Sequence, residues 1–156
     1  MAVREAAFAL LGRRDCSCAE MRKYLQKKGF SPDCVERIVA ELTAYGYLDD
    51  ERLAKRRAHD RLREKGRGRR AIAGELLRMG IDPSVVRWAI ASIDPEEEAE
   101  AAWGFARRKW PKLSGEPVDK LRALSVMLQR RGFPLSAVRR ALQRLAAEQD
   151  LRACKV

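Results

Sequence analysis

Leu, Ala, Val and Ile recur along this chain at helical spacing from end to end, the pattern of amphipathic helices that share a core. Residues 2–13 predict a first helix with Phe8 and Leu11 turned inward. Ser17 with Glu20 forms a capping box, and a second helix follows through Met21 and Leu25 to Lys28, where Gly29 ends it. Ser31-Pro32 places a cap residue before proline at the first helical position and starts a third helix through Val35, Ile38, Val39 and Leu42. Together these make a three-helix unit.

The unit then returns twice. Gly29-Phe30-Ser31-Pro32 is matched by Gly80-Ile81-Asp82-Pro83 at an offset of 51, and Gly132-Phe133 follows at a further 52. Around those glycines Met21, Ile72 and Leu124 align, as do Leu25, Leu76 and Leu128. Beyond them come Val35, Val86 and Val138, then Val39, Ile90 and Leu142, then Leu42, Ile93 and Leu145. The third copy has Pro134-Leu135-Ser136 in place of the cap-Pro pair, so a different turn is expected there. The predicted fold is all-α: three tandem three-helix modules, over residues 1–46, 47–93 and 94–156, stacked into an elongated, curved array. The clearest linker lies near residues 111–118, which contain Ser114-Gly115. In the leading helix of the third module, Trp103, Ala106 and Trp110 form an apolar stripe and read as core, with stacking on bases as the alternative.

Charge changes the picture in the leading helix of the second module. Gly46 reads as a helix stop and Asp49 or Asp50 as the cap of a new helix. Advancing about 100° per residue from Arg52 puts Arg56, His59 and Arg63 within roughly 40° of it, and gathers Ala54, Ala58 and Leu62 on another side. From Arg52 to Arg70 there are ten Lys or Arg against Asp60 and Glu64. The whole chain of 156 residues carries a net charge of +11. Such a balance points to nucleic acid, an acidic protein or an anionic surface as partner. The stripe Arg52, Arg56 and Arg63, continued by Arg67, Arg69 and Arg70, is the first candidate contact. Arg107, Arg108, Lys109, Arg130, Arg131, Arg139 and Arg140 form a second tier. Arg57 and Arg61 fall nearer the packing side, where pairing with Asp49 or Asp50 would brace the module joint.

Other chemistry finds little support. His59 is the only histidine, and no nucleophile–base arrangement is suggested, so no catalytic residue and no enzyme is expected. Cys16, Cys18, Cys34 and Cys154 lack paired metal-ligand spacing and read as free thiols, with no metal or cofactor. Acids at Glu96, Glu97 and Glu98 complement a helix dipole. Gly66-Arg67-Gly68 is too sparse for a phosphate-binding loop. No apolar run approaches a membrane span and the start lacks a secretory core, so a cytoplasmic protein is expected. A helix-turn-helix reader wants Ala or Gly four residues before the turn glycine, where Leu25, Leu76 and Leu128 stand, so major-groove reading looks weak.

Gly46-Tyr47-Leu48-Asp49-Asp50, then Arg52-Leu53-Ala54 and Arg61, closely resembles the hallmark of the bacterial RecX regulatory proteins, with Leu53 where that family usually has phenylalanine. Glu20 to Phe30, Glu75 to Ile81 and the threefold module resemble the family too, over about residues 4–148. The resemblance implies a non-enzymatic modulator of the RecA recombinase that lodges in the groove of the RecA–DNA filament. It would suppress strand exchange, ATP hydrolysis and co-protease function, and so act in homologous recombination, DNA repair and the SOS response. The partners implied are the RecA filament and single-stranded DNA, with double-stranded DNA as a further candidate and a monomeric state. Gly46, Tyr47, Leu48, Asp49 and Asp50 then read as stop, core anchors and cap. A general DNA-binding protein without recombinase specificity, and a protein-interaction scaffold, are the alternatives.

Overall fold

A computed structural model describes residues 2–153, with side chains through residue 150. The described residues form nine α-helices and no strand. They are α1 (Val3–Leu11), α2 (Cys18–Lys27), α3 (Pro32–Ala44), α4 (Asp50–Lys65), α5 (Arg69–Arg78), α6 (Pro83–Ala91), α7 (Pro95–Lys109), α8 (Pro117–Arg130) and α9 (Leu135–Ala153). A single 3₁₀ turn, Trp110–Lys112, extends α7 into the region expected as a linker. None of the described helices is long and apolar enough to cross a membrane.

The repeated apolar positions are the core. Met21, Ile72 and Leu124 are fully buried, as are Leu25, Leu76 and Leu128. Val35, Val86 and Val138 follow, with Leu42, Ile93 and Leu145, while Ile90 and Leu142 are half-buried. The three turns share one geometry. Gly29, Gly80 and Gly132 have φ of +90°, +75° and +88°. The next N–H in each case reaches back to the leucine carbonyl: Phe30 to Leu25 at 3.3 Å, Ile81 to Leu76 at 3.3 Å and Phe133 to Leu128 at 3.1 Å. This is the left-handed helix stop that glycine favours. Pro134 therefore does not alter the third turn, because the bond depends on residues 128 and 133, ahead of the proline.

By their contacts the helices divide into two compact units, Met1–Arg56 with Glu75–Ala89, and Arg57–Gly74 with Ile90–Val156. In the first, α1, α2 and α3 pack around Ala6, Ala7, Leu10, Met21, Leu25, Ile38 and Leu42. Leu11 is half-buried and packs against this core as expected, but Phe8 does not. Phe8 is 40% exposed and meets the Tyr47 ring edge-on at 5.1 Å. The alanines bring α1 close to its neighbours, and that phase turns Phe8 to the rim. In the second unit α9 lies along α7, with Ala99, Ala102 and Ala106 buried on α7 and Ala137, Val138, Ala141 and Leu145 buried on α9.

A capping device occurs once within each unit. In the first, the N–H of Cys18, at the start of α2, donates to Asp50 Oδ1 at 2.9 Å. In the second, the N–H of Arg69, at the start of α5, donates to Glu98 Oε1 at 2.8 Å, and Arg69 Nε donates to Glu98 Oε2 at 2.6 Å. Each acid stands in the first turn of the leading helix of the following repeat. Beside each cap a turn glycine makes a close approach. A Cβ on Gly80 would lie 2.5 Å from Ala19 Cβ, and one on Gly132 would lie 2.6 Å from Ala71 Cβ. The Ser17 hydroxyl donates to the Met79 carbonyl, while the N–H groups of Gly68 and Arg70 donate to the carbonyls of Arg131 and Gly132.

Two predictions follow from this device, both read by urea denaturation. Gly29 meets nothing within 4 Å, so Gly29→Ala should lose only the left-handed preference, about 1 kcal/mol. Gly132→Ala adds a clash with the α5 backbone and should cost about 4 kcal/mol; equal costs at the two sites would contradict the close approach. Glu98→Ala leaves the Arg69 charge without its buried partner and should cost about 3 kcal/mol. Asp50→Ala removes a neutral-donor cap and should cost about 1 kcal/mol.

Candidate nucleic-acid interface

The helical phase of α4 is the one its sequence predicts. Ala54, Ala58 and Leu62 are fully buried, and Arg52, Arg56 and Arg63 are exposed. Asp49 is the cap: its Oδ1 accepts from the Arg52 N–H at 2.9 Å. Leu48 is buried as a core anchor, whereas Tyr47 is 56% exposed and meets the Phe8 ring. An anchor at position 47 would need to face the core beside Leu48, and adjacent residues leaving a turn point apart.

The stripe arginines are already engaged. In the first unit, Arg52 Nη2 donates to the carbonyl of Gly46 at 2.8 Å, tying the cap to the preceding stop, and Arg56 pairs with Asp15. Lys55 stands 5.7 Å over the ring of Trp88. In the second unit, Arg63 pairs with Glu97 at 2.5 Å, with His59 Nδ1 3.9 Å from the same carboxylate. Arg57 and Arg61 are half-buried and each has a partner.

The remaining candidates all lie in the second unit and fall into three groups. Arg69 and Arg140 are bound to acids, Arg69 to the buried Glu98 and Arg140 to Glu96 at 2.5 Å. That contact holds the Glu96 carboxyl below the usual carboxylate range and raises Arg140. Arg67, Arg70, Arg108, Arg130 and Arg139 are exposed and have no carboxylate partner among the described residues. Arg107 lies 5.1 Å over the Trp103 ring and Lys109 5.8 Å over Phe105. Arg131 is half-buried: its Nε donates to the Gly66 carbonyl at 2.7 Å, its Nη2 donates to the Lys65 carbonyl, and its guanidinium lies 4.6 Å over Phe105.

Trp103 and Trp110 are half-buried rather than core. Arg144 stacks 3.5 Å over Trp103, with Arg107 near the same ring, and Lys120 lies 5.0 Å over Trp110. Cations therefore occupy the ring faces that a base would need. The buried face of α7 belongs to Ala99, Ala102, Phe105 and Ala106, so of the expected stripe Ala106 lies in the core and the two tryptophans lie beside it. Among the described residues no three His, Cys, Asp or Glu groups are placed to hold a metal.

Comparison with known proteins accounts for this arrangement. Models of the first, second and third three-helix domains of RecX match residues 4–42, 49–90 and 96–142. The chain is 36% identical over 129 residues to the regulatory protein RecX of Mycolicibacterium smegmatis, covering 80% of this chain and 69% of that one. It is 34% identical over 152 residues to the RecX of Mycobacterium ulcerans, covering 96% and 88%. The chain belongs to the RecX family. The RecX fold is also that of the crystal structure from Lactobacillus salivarius, with a TM-score of 0.85 at 18% identity over 93% of this chain and 95% of that one. The curated RecX relatives carry the name of a regulatory protein, and the sequence hallmark from Gly46 to Arg61 that pointed to the family spans the α3–α4 stop and cap.

The cysteines complete the description of this RecX chain. Cys16 is buried, and burial followed by the nearby Glu20 carboxylate pushes its thiol from 9.0 up to about 11. Burial likewise raises Cys18, while Cys34 is exposed and Cys154 lies outside the described residues. At pH 8, iodoacetamide should modify Cys16 roughly a hundredfold more slowly in the folded chain than in urea, by mass spectrometry of the labelled peptide. Between about pH 9 and 11 the folded thiol keeps a proton that the unfolded chain has released, so stability should fall as pH rises through that window. Cys16→Ala should remove that part of the slope.

Proposed function

We propose that this chain, a regulatory protein of the RecX family, binds the filament that the RecA recombinase forms on DNA. There it mainly inhibits strand exchange, ATP hydrolysis and co-protease activity. Family membership carries the reading, and the charge of the chain supports it: +11 overall, with exposed arginines in both units. Protein and DNA together offer a polyanionic, helical track, and a basic chain is steered toward it.

On this reading Arg52, Arg56 and Arg63 remain contact candidates although each is engaged. An exposed ion pair contributes little to stability, so Arg56 and Arg63 can exchange a carboxylate for a phosphate at small cost. The cations without a carboxylate, Arg67, Arg70, Arg108, Arg130 and Arg139, are available without any exchange. The chain would act in the cytoplasm and as a monomer.

The test is DNA-dependent ATP hydrolysis by preformed RecA filaments, with this chain added well below the recombinase concentration. Inhibition at a small fraction of the recombinase, weakened in Arg52→Glu/Arg56→Glu/Arg63→Glu with its helical content retained, is the expected result. Inhibition only at ratios that coat the DNA would instead make the chain a general DNA-binding protein. Absence of any effect would remove the filament from its function.

A further inference from the structure

Within the second unit the arginines are sorted unevenly. Arg63, Arg69, Arg140 and Arg144 each face a carboxylate: Glu97, Glu98, Glu96 and Glu100. Arg67, Arg108 and Arg131 gather at the joint between α4 and α5, where Arg108 and Arg131 both approach Gly66, and none of the three has a carboxylate partner among the described residues. We propose that these three side chains form a seat for the phosphodiester groups of a DNA strand. The choice of DNA as the polyanion rests on the functional reading above; the grouping of the cations does not.

Arg131 is the fixed member. Its Nε and Nη2 are used on the carbonyls of Gly66 and Lys65, and the Phe105 ring lies beneath it. The Nη1 donors and the second Nη2 hydrogen remain for a ligand. Arg67 and Arg108 are exposed, and Arg108 Nη2 would lie 3.9 Å from a Cβ placed on Gly66. Burial, and then the like charges of Arg67 and Arg108, hold the Arg131 guanidinium below its ordinary range. Three cations converging without an acid repel one another, and an anion placed among them relieves that repulsion with charge-assisted hydrogen bonds.

A groove of about 320 Å³ runs beside Arg108 over the small residues Gly66, Ala101 and Gly104. Glu97 and Glu100 also line it, and each already has an arginine of its own, Arg63 and Arg144. The loop backbone is not the donor. The N–H of Arg67 is given to the Arg61 carbonyl and that of Gly68 to the Arg131 carbonyl. Recognition therefore comes from guanidinium groups, which position a backbone without reading its bases.

The test measures binding of the full chain to a fluorescein-labelled oligodeoxythymidylate between 0.05 and 0.3 M salt, values of the order used to expose counterion release. Arg67→Gln/Arg108→Gln is compared with Arg13→Gln/Arg37→Gln, which removes the same charge from exposed positions in the first unit. The seat predicts that the first pair lowers the log–log salt slope by about 1.4 and weakens binding roughly 25-fold at 0.1 M salt. The second pair should change the slope by less than half as much. Equal losses in the two variants, or none in the first, would overturn the seat. Inorganic tripolyphosphate provides the other arm. If it binds through Arg67 and Arg108 while the oligonucleotide does not, the site takes a free phosphate and the strand is refuted. Neither Arg67 nor Arg108 makes a carboxylate contact, so both variants should keep the urea midpoint. The recombinase is absent from every arm, so a failed filament assay leaves this result standing, and the reverse also holds.

Discussion

The fold depends on two carboxylates that each reach across to an amide the helix cannot satisfy. The first N–H groups of a helix have no partner within it. For α2 and α5 a donor at that end is answered by Asp50 and Glu98, each from the leading helix of the next repeat. One contact thus caps a helix and fixes the following one against it. The approach needs room, and the turn glycines give it, since Gly80 and Gly132 meet Ala19 and Ala71 where a side chain would collide. Gly29 keeps the same backbone with nothing within 4 Å of where a Cβ would stand. The α8 N-terminus has no side-chain cap and starts with Pro117 at its first position, which removes one of the donors a cap would answer.

Much of this was legible from residue types alone. Apolar positions and turn glycines recur because every repeat solves the same packing problem, so the three-helix modules and their shared core positions, from Met21, Ile72 and Leu124 to Leu42, Ile93 and Leu145, could be read from the offsets of 51 and 52. The phase of α4 was legible for the same reason. The caps were not. Asp50 and Glu98 look like ordinary first-turn acids, and their partners lie 32 and 29 residues away in sequence. Nothing local separates Glu98, which is 1% exposed, from its exposed neighbour Glu96.

The candidate site was half-legible for a related reason. A helical wheel finds which arginines face outward, but it cannot find which of them meet an acid from another segment. Arg56 with Asp15 and Arg63 with Glu97 are such meetings. The aromatic residues missed in the same way. Phe8, Tyr47 and Trp103 were assigned inward by type, whereas alanines take the tightest places, on α1 and along α7 and α9. A helix pressed close through alanine has no space for a ring on the same line, so the rings move to the rim, where Phe8 meets Tyr47 and Trp103 collects two arginines.

That sorting explains how a chain this basic holds together. Like charges within one helix repel, and a surplus of arginine destabilises a compact state unless the cations are neutralised or spread. Here Glu96 and Glu100 tie α9 to α7 through Arg140 and Arg144, Glu97 holds Arg63, and Glu98 holds Arg69. The acidic run 96–100 thereby neutralises the arginines that lie between packed helices. It leaves uncompensated Arg67 in the α4–α5 turn, Arg70 and Arg108 near helix ends, Arg130 at the end of α8 and Arg139 on α9. Acids placed there as well would have lowered the repulsion further, but they would have erased the positive surface. The carboxylates stand where the fold requires them, and the surplus charge is left where a polyanion can reach it.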